Sequence, residues 1–354
     1  MTVCIAVFYI LKSELGSDSS DNNIYPQTQL LSDALITQIS TVTALSRVKE
    51  ASKINAPWSG PTTGPPASLN KLIVYFADDL RNGGILAVAK GVQEAAIAIG
   101  WQFKLVDAND TPEGRKRGFV KTRSYNPDGF ILGGSDALAN LEELIKLQED
   151  KIAIVGWHVA PETGPVTGTP VLANITTKNS EIAQIAAYFA ATQTNKKVGA
   201  VIFTDSRYQI ALDKANTMKE VLESFPHCKV LAYEDVSLTT VDKNMENIVQ
   251  RLLQTHGESW THTLAINDLY FDYTSPVMVS NNISPGKISN ISAGDGSESA
   301  FQRIKADSYQ TATVAEPLNL QGWQLIDELN RYFSGVPTSG YTPPVHLVVN
   351  HNAI

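Results

Sequence analysis

The sequence predicts an α/β protein of two doubly wound parallel-sheet lobes. Three observations carry this. Short apolar runs alternate with helical patterns along most of the chain. The runs are continuously apolar, as parallel strands covered on both faces must be. Ten of them fall in the about 285 residues after Leu69, too many for one comfortable open sheet.

The first 69 residues read as an extension. Val3 to Leu11 (VCIAVFYIL) has the length of a secretion-signal core, although no Lys or Arg precedes it and no A-x-A site follows. We read it as a signal remnant, with a hydrophobic strand as the alternative. Residues 12–26 are polar and turn-rich. Within 27–52, Leu30, Leu31, Leu35, Ile36, Ile39, Val42 and Leu45 repeat at helical spacing. Residues 55–68 (NAPWSGPTTGPPAS) form a proline-rich linker, and the main fold starts at Asn70.

The expected strands are Leu72–Phe76, Phe103–Val106, Gly129–Leu132, Ile152–Val155 and Val198–Phe203, followed by Val230–Ala232, Leu264–Ile266, Ile288–Ile291, Thr311–Ala315 and Val345–Val349. Between them, Ile85, Val88, Val92, Ala95, Ala96 and Ile99 share one helix face that ends at Gly100. Leu138, Leu141, Leu144, Ile145 and Gln148 form a second face; Ile182, Ile185, Ala186 and Phe189 form a third. Trp323 falls on a stripe with Leu320, Ile326, Leu329 and Phe333, which places it in the core.

In open parallel sheets, ligands bind beyond the carboxyl ends of the strands. Six such tips carry hydrogen-bonding or aromatic groups. They hold Asp79 and Arg81; Trp157 and His158; Arg207 and Tyr208; Asn267 and Tyr270; Asp295; and Glu316. Carboxylates accept two hydroxyl hydrogen bonds, Asn both donates and accepts, and Arg donates in a fork. A ring covers the C–H face of a sugar. Together these groups suit a small polyhydroxylated ligand.

Composition narrows the alternatives. Lys and Arg number 28 against 36 Asp and Glu, a net charge of −8, which argues against a nucleic-acid surface. Two cysteines are too few for a disulfide scaffold or a Cys-based zinc site. There is no phosphate-binding glycine loop, no G-x-S-x-G elbow and no H-E-x-x-H, so neither a cofactor nor a metal is expected. Gly133-Gly134-Ser135-Asp136 reads as a helix cap, and Asp107-Ala-Asn109-Asp110 as a strand-end turn.

The segments KLIVYFADDLRNGGILAVAKGVQEAAIAIGW, NPDGFILGGSDA, AIVGWH, AINDLYFD, ISAGDGSESAFQRI and TATVAEPLNLQGWQLIDEL carry a resemblance. Over about Lys71 to Pro337 the chain resembles the type I periplasmic substrate-binding proteins of ABC sugar importers, the ribose/galactose group most of all. That resemblance implies two lobes joined by three crossings, near Asn174–Thr177, Glu316–Pro317 and Ser339–Tyr341. One lobe would comprise 70–174 plus 317–340, the other 175–316 plus 341–354. It implies a non-enzymatic, monomeric, periplasmic protein that closes on a sugar or polyol and is read by a membrane ABC permease. Asn267 and Asp295 match the family's sugar-binding Asn and Asp, and Asp79 matches an Asp of galactose-type members. Arg207 is the nearest match to a family Arg. Glu316 replaces the usual Gln or Asn, and Trp157-His158 the usual Asp-Arg or Asn-Lys. These departures point to a polyol, an amino sugar or another small polar compound in place of ribose or galactose. They also make pH-dependent affinity through His158 an expectation.

Three other functions fit the same fold. A sensor domain for a membrane signalling partner would use the same lobes. A sugar-responsive repressor core is disfavoured by the acidic chain and the lack of a basic helix-turn-helix. An enzyme using Asp79, Asp295 and Glu316 as acid and base is less simple than carboxylates binding hydroxyls.

Overall fold

The structure is a computed structural model that describes residues 38, 40–54, 57–194 and 196–350. The chain divides into two compact units, 1–42 and 43–354, and both sheets belong to the second. The Val3–Leu11 run and Leu30, Leu31, Leu35, Ile36 and Ile39 of the expected helix lie outside the described residues.

Both expected sheets are present. Leu72–Ala77 (β1), Gln102–Asp107 (β2), Gly129–Gly133 (β3), Ala153–Trp157 (β4) and Asn174–Ile175 (β5) form a parallel sheet of order β2-β1-β3-β4-β5. Val198–Thr204 (β6), Cys228–Asp235 (β7), His262–Ala265 (β8), Ser289–Ser292 (β9), Ala312–Ala315 (β10) and His346–Val349 (β11) form the second, of order β11-β10-β9-β8-β6-β7. Strands β1, β3, β4 and β6 are buried almost throughout, which is why their sequences are continuously apolar. The last strand departs from expectation. It pairs antiparallel with β10, Ala312 opposite Val349. The helix before it, Leu318–Phe333, packs in the other lobe and not on this sheet, so nothing forces the parallel direction.

The helices are Gly83–Ala98 (α2), Pro112–Ser124 (α3), Leu141–Glu149 (α4), Asn179–Thr192 (α5), Gln209–Glu223 (α6), Val241–His256 (α7), Leu269–Ser280 (α8), Glu298–Lys305 (α9) and Leu318–Phe333 (α10); residues 43–51 are also helical (α1). The Asn82 side chain caps α2 by accepting from the Gly84 N–H at 2.9 Å. Gly100 just past its end has φ +76°, a conformation glycine adopts without steric cost. Helix α10 follows a strand of the second sheet but packs in the first lobe, where Leu325, Ile326 and Leu329 share a core with Ile73, Tyr75 and Ile131. It lies backbone to backbone on α2: a Cβ at Gly91 would meet the Asn319 carbonyl at 2.4 Å. The chain therefore passes between the lobes after β5, after β10 and after α10.

Three packing expectations are corrected. Trp323 is 41% exposed, because the buried stripe of α10 runs through Leu318, Leu325, Ile326 and Leu329 and leaves Trp323 on the solvent side. In α4 the buried pair is Leu144 and Leu147, while Leu138 and Ile145 are exposed. Asp136 accepts from the Ala139 N–H and holds a turn there, so the helix begins only at Leu141. In α1 the expected stripe residue Leu45 is exposed, and the smaller face of Ala44, Val48 and Ala51 packs on the second lobe's core. The proline-rich stretch is not a free tether. Asn330 bonds Pro65 O, Pro66 O and Ser68 N, and Arg331 bonds Thr63 O, which fastens it to α10.

Candidate functional site

The carboxyl ends of both sheets face a cleft between the lobes. It encloses about 80 Å³ accessible to the centres of water molecules. Asp78, Asp79, Asn82, Asp110, Trp157 and His158 line it from the first lobe; Tyr208, Lys214, Asn267, Leu269 and Asp295 line it from the second.

The inner end lies beside the hinge. Asp295 follows β9 and is 3% exposed; its Oδ2 accepts from Asn267 Nδ2 at 2.6 Å. Burial pushes the Asp295 carboxyl up to about 6, against the opposing pull of Lys214 and His158. Beneath it, Asp268 accepts from the Gly296 and Ser297 N–H groups at 2.9 and 3.0 Å and from Gln310 at 2.7 Å, which fixes the loop carrying Asp295. Lys214 reaches in from α6 and is 4% exposed. Its ammonium lies over Gly294, 2.7 Å from where a Cβ would stand. Among the described residues it makes no hydrogen bond or ion pair, so its donors are open to a ligand.

His158 holds φ +53° and stacks on Trp157 with ring centroids 3.9 Å apart and planes 9° apart. Its Nε2 lies 3.0 and 3.1 Å from the two oxygens of Glu316. Glu316 also accepts from Gln321 Nε2 at 2.8 Å and from the Thr177 N–H at 3.3 Å. Burial alone would raise the Glu316 carboxyl, but His158, Lys214 and the Thr177 bond hold it well below the usual carboxylate range. Trp157 Nε1 donates to Gln321 Oε1 at 2.9 Å. Ligand atoms of His158, Asp295 and Glu316 lie within 4.8 Å of one another, enough to hold a cation, but the buried Lys214 ammonium beside them opposes one.

The outer end is a charge network that crosses the cleft. Arg115 donates bidentately to Asp78 at 2.7 and 2.9 Å, and Arg207 to Asp205 at 2.9 and 2.6 Å. Asp110 joins the two: it accepts from Arg115 in its own lobe and from Arg207 Nη1, at 3.0 Å, and Thr239 in the other. Tyr208 OH donates to Asp78 at 3.0 Å and to Asp110 at 3.2 Å. Burial, with Asp78 and Asp110 beside it, raises the Tyr208 phenol.

Of the residues expected from sequence, Asp79, Trp157, His158, Tyr208, Asn267 and Asp295 line the cleft. Four do not. Tyr270 is fully buried, stacks on Phe203 and donates to Val236 O, because α8 turns it into the lobe core. Glu316 sits behind His158, which takes its carboxylate. Arg81 is half-exposed at the rim, forked onto Asp79. Arg207 belongs to the outer network. Trp157 reaches the lining but is 1% exposed and covered by the His158 ring, so it offers no open face to a sugar. Lys214 was missed although a signal exists: it interrupts the apolar stripe Ala211, Ala215, Met218 and Leu222. Asp110 was missed because its partners come from the other lobe.

Residues 73–336 match the family model described as a periplasmic binding protein domain. The chain belongs to the periplasmic binding protein family. No curated protein sequence matches this binding protein. Among solved structures it is similar to an ABC sugar transporter subunit from Rhodobacter sphaeroides 2.4.1 (18% identity, 80% of this chain and 100% of that one, TM-score 0.68). It is also similar to an ABC transporter solute-binding protein from Agrobacterium vitis with bound allitol (16%, 80% and 97%, 0.67). A third similar structure is the Caulobacter myo-inositol binding protein bound to myo-inositol (15%, 83% and 97%, 0.66). At these identities the likeness is one of fold. Among the described residues no helix is long and apolar enough to cross a membrane.

Proposed function

We propose that this binding protein captures a sugar or sugar-like polyol between its lobes and delivers it, outside the cytoplasm, to an ABC importer. The observation that carries this is the inner end of the cleft. There Asn267, Asp295, His158 and Lys214 converge from both lobes on the cleft. Such a set of acceptors and open donors fits hydroxyl groups, which both give and take hydrogen bonds. Solved proteins of the same fold hold allitol and myo-inositol, which supports a polyol. Asp79 and Tyr208 complete the proposed ligand shell. The lobes are taken as 70–174 plus 317–340 and 175–316 plus 341–354, acting as a monomer that performs no chemistry and binds no nucleic acid.

A thermal-shift screen against pentoses, hexoses, acyclic polyols, cyclitols, amino sugars and amino acids tests this. A ligand at ~100 times its Kd adds about 2.7 kcal/mol, a shift of several degrees. A hit among sugars or polyols is expected. Hits confined to amino acids would overturn the substrate class.

A further inference from the structure

We propose that Asp110 is a closing residue: it holds the two lobes together without any ligand, so that the empty protein already populates the closed state.

The geometry singles out Asp110 within the outer network. Each arginine there is forked onto an aspartate of its own lobe, Arg115 onto Asp78 and Arg207 onto Asp205. Those pairs are intact whether the cleft is open or closed. Within this network Asp110 alone pairs with an arginine from each side of the gap, whereas Asp78 reaches the other lobe only through the neutral Tyr208 hydroxyl. Opening the cleft therefore breaks the Asp110 bonds to Arg207, Thr239 and Tyr208, together with the Tyr208–Asp78 bond, and leaves the two forks unchanged.

The local backbone is shaped for this task. Asn109 and Asp110 both have positive φ, +53° and +46°, a conformation that side chains disfavour. The Asp110 N–H is pinned to Asp78 O at 2.6 Å. The result is an aspartate aimed across the cleft and 6% exposed. A strand-end turn with only a local role has no need of an acid buried against the opposite lobe. Five charges take part: Asp78, Asp110 and Asp205 against Arg115 and Arg207. Without Asp110 the remaining charges balance within each lobe, and no charge pair of this network bridges the gap.

A ligand shifts closure only by its differential affinity for the two states. A latch made of protein groups sets the starting equilibrium on which that affinity acts.

Electron–electron distance measurements on the ligand-free, full-length protein test this, with spin labels at Lys116 and Lys243 on the two lobes and both cysteines replaced by serine. In ~20 mM salt the unmodified latch should give a dominant short distance, and Asp110→Asn should shift the closed-to-open ratio about tenfold toward the long one. Arg207→Gln attacks the same bond from a half-exposed side chain and should act in the same direction, which guards against a folding defect at Asp110. About 0.5 M salt should shift the parent protein only a few-fold toward the open state, since Asp110 is buried and only Arg207 is half-exposed, and should leave Asp110→Asn unchanged. A parent protein that is open without ligand would overturn the proposal. So would short distances that persist in both variants. Neither result depends on which ligand is bound, so the proposed function stands or falls separately.

Discussion

The two ends of the cleft use similar groups in opposite ways. At the outer end the aspartates, arginines, Tyr208 and Thr239 satisfy one another across the gap. At the inner end Lys214 makes no hydrogen bond or ion pair among the described residues, though it faces the Asp295 and Glu316 charges, and the Asp295 carboxylate accepts from Asn267 alone. Arg207 keeps a side chain 41% exposed, while the Asp295 carboxyl is buried in the lobe tip. Groups already paired with one another have little left to offer a ligand, whereas buried groups short of hydrogen-bond partners are costly until something pairs with them. The contrast teaches that closure and recognition are separable here: one end holds the lobes and the other waits for the ligand.

The largest effect should come from Asp295→Asn. Loss of a buried charged acceptor should lower affinity for the ligand found in the screen by about 100-fold, read by calorimetry. The same change should stabilise the empty protein. The carboxyl sits at about 6 against an ordinary 3.8, so the folded state binds more protons between those values. Stability therefore falls as pH rises from about 4 to about 6, and above that the penalty is full, about 3 kcal/mol at 1.36 kcal/mol per pH unit. Asparagine carries no such penalty. The variant should melt higher than the parent at pH 7.5, with the gain vanishing toward pH 4. Unchanged melting at both pH values would show that Asp295 is not held against its charge.

Next in size is Gly84→Ala, which tests closure from the inner end. A Cβ on Gly84 would stand 2.5 Å from Asp295 Oδ2, across the gap between lobes. The clash exists only when the lobes are shut. Affinity should fall about tenfold or more, and the empty protein should shift toward the open state, since the clash opposes closure with or without ligand. Gly91→Ala makes a similar clash, 2.4 Å from Asn319 O, but inside one lobe, so it should lower melting instead. A Gly84 variant that binds like the parent would mean that the lobes do not approach so closely in the liganded protein.

Glu316→Gln reverses the sign seen at Asp295. The Glu316 carboxyl lies below its ordinary range because His158 and its other partners outweigh burial. Its stabilisation is thus present above about pH 4.3 and is lost as pH falls through the lower folded value. At neutral pH the glutamine should destabilise by about 2 kcal/mol, because His158 loses a charged partner in a buried setting. At pH 3 the difference should narrow. Equal melting of parent and variant at pH 7.5 would remove Glu316 from any structural role.

The fold was legible because it rests on local pattern. Apolar runs marked every strand but the two-residue β5, unbroken in β1, β3, β4 and β6 and interrupted by polar residues in β2, β7 and β9, and the spacing through Ile85, Val88 and Val92 marked the buried face of α2. The direction of β11 was not legible, since apolar character does not encode which way a strand runs. The strand-tip rule found Asp79, His158, Asn267 and Asp295, which leave their strands pointing into the cleft. It failed for Tyr270 and Glu316, one or a few residues past a strand but turned into lobe core or hinge. It also missed Lys214, which lies on a helix, and Asp110, whose meaning depends on Arg207 and Thr239, residues 97 and 129 positions away. Pairing across a gap between lobes leaves no local trace in sequence.

The smallest predicted effect is at Trp157, and it sharpens the division between the two ends. From sequence, Trp157 is a ring on which a sugar could stack. In the structure His158 covers one face of it, and its indole N–H is bonded to Gln321, which in turn bonds Glu316. Trp157 therefore supports His158 and reaches ligand only through it. Trp157→Phe keeps a ring under His158 but leaves Gln321 Oε1 buried without its donor, at a cost of about 1 kcal/mol in stability. Affinity should stay within about threefold of the parent, since no ligand contact is lost. A fall as deep as that of Asp295→Asn would mean that the ligand displaces His158 and stacks on the indole. The inner end would then rearrange on binding, whereas the present geometry gives it as already formed.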